Sequence, residues 1–185
     1  KIRQRTPFRE VYIQPASSDN GTALGAAFYV WNQLLGGPRS FVMEHGYWGP
    51  AHDDVAGVLA PLDGAYAVEH FETLDAVAQA TARLIADGNV VGWYQGRMEW
   101  GARALGNRSI VADPRRADIR DLINVKIKFR EKFRPFAPSV AEEAIDDWFE
   151  GAVPDPFMIQ VYPVRQDKRT VIPAVTHVDG SGRLQ

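Results

Sequence analysis

Arginines alternate with glycines in one stretch of this chain. Between residues 92 and 109, Arg97, Arg103 and Arg108 stand among Gly92, Gly96, Gly101 and Gly106. Arginine presents a planar fork that suits bidentate binding of phosphate or carboxylate. Glycine lets a ligand approach the main chain. The glycines are too widely spaced for a dinucleotide fingerprint, and no Gly-Lys-Ser/Thr phosphate loop exists. A second cluster follows, with Lys126, Lys128, Arg130, Lys132 and Arg134 at every second position, interleaved with Phe129 and Phe133 and followed by Ser139. If extended, this segment puts all five cations on one face. If the preceding helix runs on, they spread around it. Cations converging on an anion suit phosphoryl or nucleotidyl transfer, which needs charge neutralisation and alignment more than a protein nucleophile. The bland alternatives are an arginine-rich hairpin held by surface salt bridges and a solvated edge strand.

Other chemistry is thinly represented. Cysteine is absent, which excludes thiol nucleophiles, disulfides and cysteine-ligated zinc and fits a reducing cytoplasm. The four histidines form no HxxxH pair. His177 precedes Asp179, Ser181 and Arg183 in a turn-rich segment and is a weak candidate for titratable chemistry. Asp19, in Ser-Asp-Asn-Gly, reads locally as a helix cap or Asx turn.

The elements that must position these groups form a mixed α/β pattern. Residues 11–13 are β-prone and residues 17–21 are turn-rich. Residues 22–35 have helical spacing through Leu24, Ala27, Phe28, Trp31, Leu34 and Leu35, ending at Gly36-Gly37-Pro38. Residues 39–67 read as a linker with turns at 46–50 and 61–64, whose aromatics must pack on something. Thr73 predicts an N-cap, with Leu74, Val77, Ala78, Leu84 and Ile85 on the inner face of a helix stopped by Gly88. Strands are expected at 89–94, 109–111, 157–162 and 174–178. Residues 135–140 should be extended. A helix from Asp113-Pro114 should turn Ile119, Leu122, Ile123 and Ile127 inward, and a short acidic helix should span 142–149.

Composition sets the scale. The 185 residues carry 21 Lys+Arg against 23 Asp+Glu, a net charge of −2. Residues 97–134 hold 11 basic and 5 acidic residues, a local +6, which leaves −8 for the rest. Such a block on a mildly acidic chain points to a local anionic partner, not to a generally basic nucleic-acid binder. With 45% hydrophobic and 24% charged residues the chain is an ordinary globular one. Its longest apolar run, residues 23–31, is far below the ~20 residues that span a bilayer. The basic start at residues 1–6 has no hydrophobic segment behind it and no initiator Met, so the chain reads as part of a longer cytoplasmic protein.

The longer motifs carry a resemblance. GWYQGRMEWGARALGNRSI at 92–110, ADP at 112–114 and FRPFAPS at 133–139 closely resemble the NodU/CmcH-type O-carbamoyltransferases. QPASSDNGTALGAA at 14–27 and THVDGSGRLQ at 176–185 match the same family, in family order. The resemblance implies a YrdC-like twisted mixed sheet with flanking helices over residues 68–185, truncated at its end. Before it would come a strand–turn–helix remnant of an actin-like ATPase-type transfer domain at 1–38 and a linker at 39–67. It implies that carbamoyl phosphate and ATP, with Mg, give carbamoyl-adenylate, whose carbamoyl group passes to a substrate hydroxyl in the other domain. Arg103, Lys128 and Arg134 would then be catalytic. Arg97, Asn107, Arg108, Arg130, Ser139, His177 and Arg183 would bind substrate or nucleotide. Asp19 would be one ligand of an iron-type metal whose histidine ligands lie outside this chain. The fragment alone would not complete the transfer. An RNA-binding module of the same fold is a separate reading, with Trp93, Trp100, Phe129 and Phe133 as stacking rings. A non-catalytic docking domain, with its arginines in internal salt bridges, is a third.

Overall fold

A computed structural model describes residues 2–62 and 64–185. Lys1 of the basic N-terminal segment and Asp63 of the turn predicted at 61–64 lie outside the described residues. The element order is α1 (Ile2–Arg5), α2 (Asp19–Tyr29), α3 (Val55–Leu59), α4 (Leu74–Ala86), β1 (Val91–Tyr94), β2 (Arg108–Val111), α5 (Ile119–Leu122), α6 (Ile145–Trp148), β3 (Tyr162–Pro163) and β4 (Ser181–Gly182). The class is α+β, as expected. The described strands form two separate antiparallel pairs, β1–β2 and β3–β4, in place of a single mixed sheet.

Helix α2 begins three residues earlier than its apolar periodicity predicts, and Ser18, not Asp19, holds the N-cap position. It continues as a wider π-type turn over Val30–Leu34, and Gly36, at φ +64°, follows. Helix α4 starts where Thr73 predicts. The threonine Oγ1 accepts the Ala76 N–H at 3.2 Å, and Gly88 ends the helix at φ +91°. Its inner face is rotated from the predicted one. Ala76, Val77, Ala80, Thr81 and Ile85 are half-buried, while Leu74 and Leu84 face outward. Val77 and Ile85 thus face inward as predicted, whereas Ala78 joins the two leucines in solvent.

The helix after Asp113-Pro114 starts at Ile119 and widens into a π-type turn at Ile123–Ile127. The widening shifts the register of later side chains. Ile119 and Ile123 are therefore buried as predicted, whereas Ile127 turns outward. Three predicted strands do not form as read, and in two of them, at 157–160 and 174–177, backbone groups find other partners. Residues 11–13 stay irregular, with the Tyr12 hydroxyl donating to the Met43 carbonyl at 3.3 Å. At 157–159 the chain wraps around Asp155, and only Tyr162 joins a strand. Residues 174–178 form turns in which Ala174 and Val175 are core residues.

Apolar clusters fix this arrangement. Ile145, Phe149, Tyr162, Val164, Ile172, Val175 and Leu184 make the main core. Ile119, Ile123 and Ala174 make a second, and Phe136 packs against both. Full burial of a side chain such as Phe149 contributes about 1.5–3 kcal/mol. Met43, Leu105 and Phe157 form a third cluster, flanked by Tyr47 and Trp100. It packs the residue 39–67 segment against the glycine–arginine loop, as that segment's aromatics anticipate.

Candidate functional site

The two basic sequence clusters meet at one cavity of about 370 Å³. Arg103 reaches it from the glycine–arginine loop, Lys128, Arg130 and Arg134 from the turn after α5, and Arg183 from the segment after β4. Ser109, Ser139, Phe136, Met158 and Gln185 complete its polar and apolar walls. No Asp or Glu lines it.

The loop that carries Arg103 is held from inside by Glu99. One carboxylate oxygen of Glu99 accepts the backbone N–H groups of Leu105 (2.8 Å), Asn107 (2.7 Å) and Arg108 (3.1 Å). Burial raises the Glu99 pKa, but those backbone donors outweigh it and hold the carboxyl below the usual range. Gly101 sits at φ +126°, where a Cβ would come within 3.1 Å of the Pro15 carbonyl. Glycine is thus required there on both counts. The opposite wall is tied to this loop by Gln185. Its Nε2 donates to the Leu105 carbonyl at 2.9 Å, and its backbone exchanges hydrogen bonds with Pro138 and Val140.

Four of the five cavity cations lack an internal counter-ion. Among the described residues, Arg103, Lys128, Arg130 and Arg183 make no ion pair. The Arg183 Nε is buried with no hydrogen-bond partner. Burial, then the Arg103 and Arg130 charges, push the Arg183 pKa down, and Asp155 opposes them. Burial, then Arg134, act in the same direction on Arg130, against Glu131. Arg134 has a loose contact of 3.8 Å with Glu131. Like charges held together at such a site are stabilised by an anion between them.

Other residues singled out in the sequence lie elsewhere. Arg97, Asn107, Arg108 and His177 do not line the cavity. Arg97 donates to the Gly49 and Trp48 carbonyls at 2.9 and 3.0 Å. Arg108 donates to the carbonyls of Gln95, Gly96 and Asn107 and lies 3.5 Å from the Tyr94 ring centroid. Asn107, buried, donates through Nδ2 to the Arg97 carbonyl. These three residues shape the loop. The His177 Nδ1 is 3.4 Å from the Ser181 hydroxyl, which donates to Asp179, while its Nε2 is buried without a partner. Burial lowers the His177 pKa, with Asp179 opposing and Arg183 adding to the fall, so the ring is largely neutral at pH 7.

Asp19 is exposed at the first turn of α2. Among the described residues no group of three His, Cys, Asp or Glu side chains could hold a metal ion. The described residues therefore do not fit an iron centre by themselves.

Sequence reasoning missed Glu99, Asn124, Asp155 and Gln185. Asp155 accepts three backbone N–H groups, from Phe157, Ile159 and Gln160, and shapes the turn that brings Met158 to the cavity. Asn124 and Glu99 had a readable signal: a polar residue in an apolar helical run and a lone acid among arginines.

Residues 82–185 match the family model described as Carbamoyltransferase C-terminus, and residues 1–28 match Carbamoyltransferase N-terminus. Nodulation protein NolNO of Sinorhizobium fredii is 49% identical over the whole chain and 28% of its own length. Nodulation protein U of Rhizobium tropici is 35% identical over the whole chain and 30% of its own length. The 3'-hydroxymethylcephem-O-carbamoyltransferase of Streptomyces clavuligerus is 35% identical over 96% of this chain and 32% of its own length. The chain thus spans about a third of the length of these relatives.

Proposed function

Since this chain belongs to the carbamoyltransferase family, we propose that its cavity binds carbamoyl phosphate and ATP and forms carbamoyl-adenylate. The carbamoyl group would then reach a hydroxyl-bearing small molecule in an N-terminal transfer domain, which is the partner this reading requires. The observation that carries it is the set of five basic side chains around one carboxylate-free cavity, four of them without an ion pair among the described residues. That charge exceeds the need of one monophosphate and suits a nucleoside triphosphate beside a second anion.

In this reading Arg103, Lys128 and Arg134 act on the reacting phosphates. They neutralise charge as a carbamate oxygen, freed from its own phosphate by water, bonds to the α-phosphorus and the bond to pyrophosphate breaks. Arg130, Arg183 and Ser139 bind and orient the two anions. Mg travels with ATP and supplies further phosphate neutralisation. Asp19 would contribute one ligand to an iron-type metal in the transfer domain. The hydroxyl acceptor is suggested by the relative's name, a 3'-hydroxymethylcephem O-carbamoyltransferase. No helix among the described residues is long and apolar enough to cross a membrane. The cytoplasm, where ATP and carbamoyl phosphate are available, is the proposed location.

Calorimetric titration with ATP and with carbamoyl phosphate tests the proposal. Saturable binding of both supports it, and binding of neither overturns it. A second reading, RNA binding, draws on Phe129 and Phe133, which are 84% and 80% exposed beside the cavity's lysine and arginines. It predicts affinity that falls steeply with salt and is not competed by ATP.

A further inference from the structure

We propose that Asn124 is the positioning residue of the cavity: its side-chain amide sets how Arg130 and Arg134 meet the bound anion. The inference rests on the anion-binding reading above and adds a residue to it. Asn124 lies in the apolar run Leu122-Ile123-Asn124-Val125 and is 0% exposed. A buried amide is costly unless its bonding capacity is filled. Here it is filled by a single partner segment. Oδ1 accepts the Arg130 Nε–H at 2.7 Å, and Nδ2 donates to the carbonyls of Lys132 (3.2 Å) and Arg134 (2.9 Å). The Asn124 backbone carbonyl also accepts the Arg130 N–H at 2.9 Å.

That segment has little else to give it shape. It lies outside every helix and strand, and Phe129 within it adopts φ +47°. Phe129 and Phe133 point into solvent and anchor nothing. The amide therefore acts as the frame of the turn. It also fixes the Arg130 guanidinium in one plane, together with the Phe136 ring 4.9 Å from its central carbon. With Nε occupied, the two Nη groups have no hydrogen-bond partner among the described residues, and Arg130 lines the cavity. A pre-set guanidinium loses less freedom on binding than one that must be ordered by the ligand.

The test is calorimetric titration of the protein with inorganic pyrophosphate, at a temperature where circular dichroism shows each variant folded. Asn124→Leu keeps the volume and removes every side-chain bond. It should weaken pyrophosphate by about tenfold or more. Adding Arg130→Gln to it should cost much less than Arg130→Gln costs in the wild type, because Asn124 acts through Arg130. Arg130→Lys provides the arm that does not disturb the core: it keeps the charge but not the planar anchor. It should lose nearly as much affinity as Arg130→Gln. Unchanged affinity in folded Asn124→Leu, full additivity of the two losses, or wild-type affinity in Arg130→Lys would each overturn the proposal. Failure of the wild type to bind pyrophosphate, ATP or carbamoyl phosphate would overturn the anion-binding reading and this one with it. Tight wild-type binding with an unaffected Arg130→Lys would overturn this one alone.

Discussion

Two basic regions lie side by side in this chain and use their charge in opposite ways. Across residues 113–121, every arginine is answered. Arg115 meets Asp113 at 2.7 Å, Arg116 meets Asp118 at 2.6 Å and Arg120 meets Asp121 at 3.3 Å. Around the cavity, Arg103, Lys128, Arg130 and Arg183 have no such partner among the described residues. The local surplus of +6 is thus unevenly shared. Four of the five acids in the block pair with arginines, and the fifth, Glu99, is spent on backbone N–H groups. The lesson is that the uncompensated subset, not the total, marks where an anion is wanted.

The sharpest way to break that contrast is substitution on each side of it. Arg103→Ala and Arg183→Ala should each remove roughly 1.5–3 kcal/mol of charge-assisted bonding from ATP or pyrophosphate affinity. Arg116→Ala should leave calorimetric affinity within about twofold, since Arg116 does not line the cavity and its pair with Asp118 is exposed. Equal losses on both sides would erase the distinction.

A thermal melt gives the next effect. Pyrophosphate at about 100 times its Kd should stabilise the protein by about 2.7 kcal/mol. Arg183→Gln should lose most of that increment, while relief of a buried, unpaired cation offsets part of its own destabilisation. An increment that survives in Arg183→Gln would show that the anion sits elsewhere.

Glu99 offers a smaller and pH-dependent effect. Its folded pKa is depressed. The stability it contributes is therefore present above the ordinary carboxylate pKa and is lost as pH falls through the lower, folded value. Amide hydrogen exchange at Leu105, Asn107 and Arg108, corrected for its intrinsic pH dependence, should lose protection across that acid window. Glu99→Gln should remove the pH dependence and cost about 1–2 kcal/mol of local stability. The smallest effect belongs to Arg120→Ala, which should leave the urea midpoint unchanged, because both its guanidinium and the Asp121 carboxylate it meets reach solvent.

What was legible in the sequence follows the range of each interaction. Thr73 and Gly88 bound a helix through contacts three or four residues away, so its ends could be read. The cations of the cavity were visible as residue types. Their division was not. Arg97 and Arg103 look alike in the sequence, and only the folded chain reveals that carbonyls of residues 48 and 49 receive the first. The strand predictions at 157–162 and 174–178 failed for the same reason. Phe157, Ile159 and Gln160 give backbone N–H groups to the Asp155 side chain, and Ala174 gives its own to the Pro114 carbonyl. Both sets of bonds lie outside any strand ladder, so β-prone residue types misled there.

The carbonyl of Leu105 has a bearing on how the protein is made. It accepts from the Tyr47 hydroxyl at 2.8 Å and from Gln185 Nε2 at 2.9 Å, partners 58 and 80 positions away along the chain. Closing such long spans must be completed before either contact gives a return. On a growing chain, the wall that bears Arg103 cannot take its final form until Gln185 has emerged. The anion site is thus a late product of folding, and a refolding trace followed by pyrophosphate binding should lag one followed by far-ultraviolet circular dichroism.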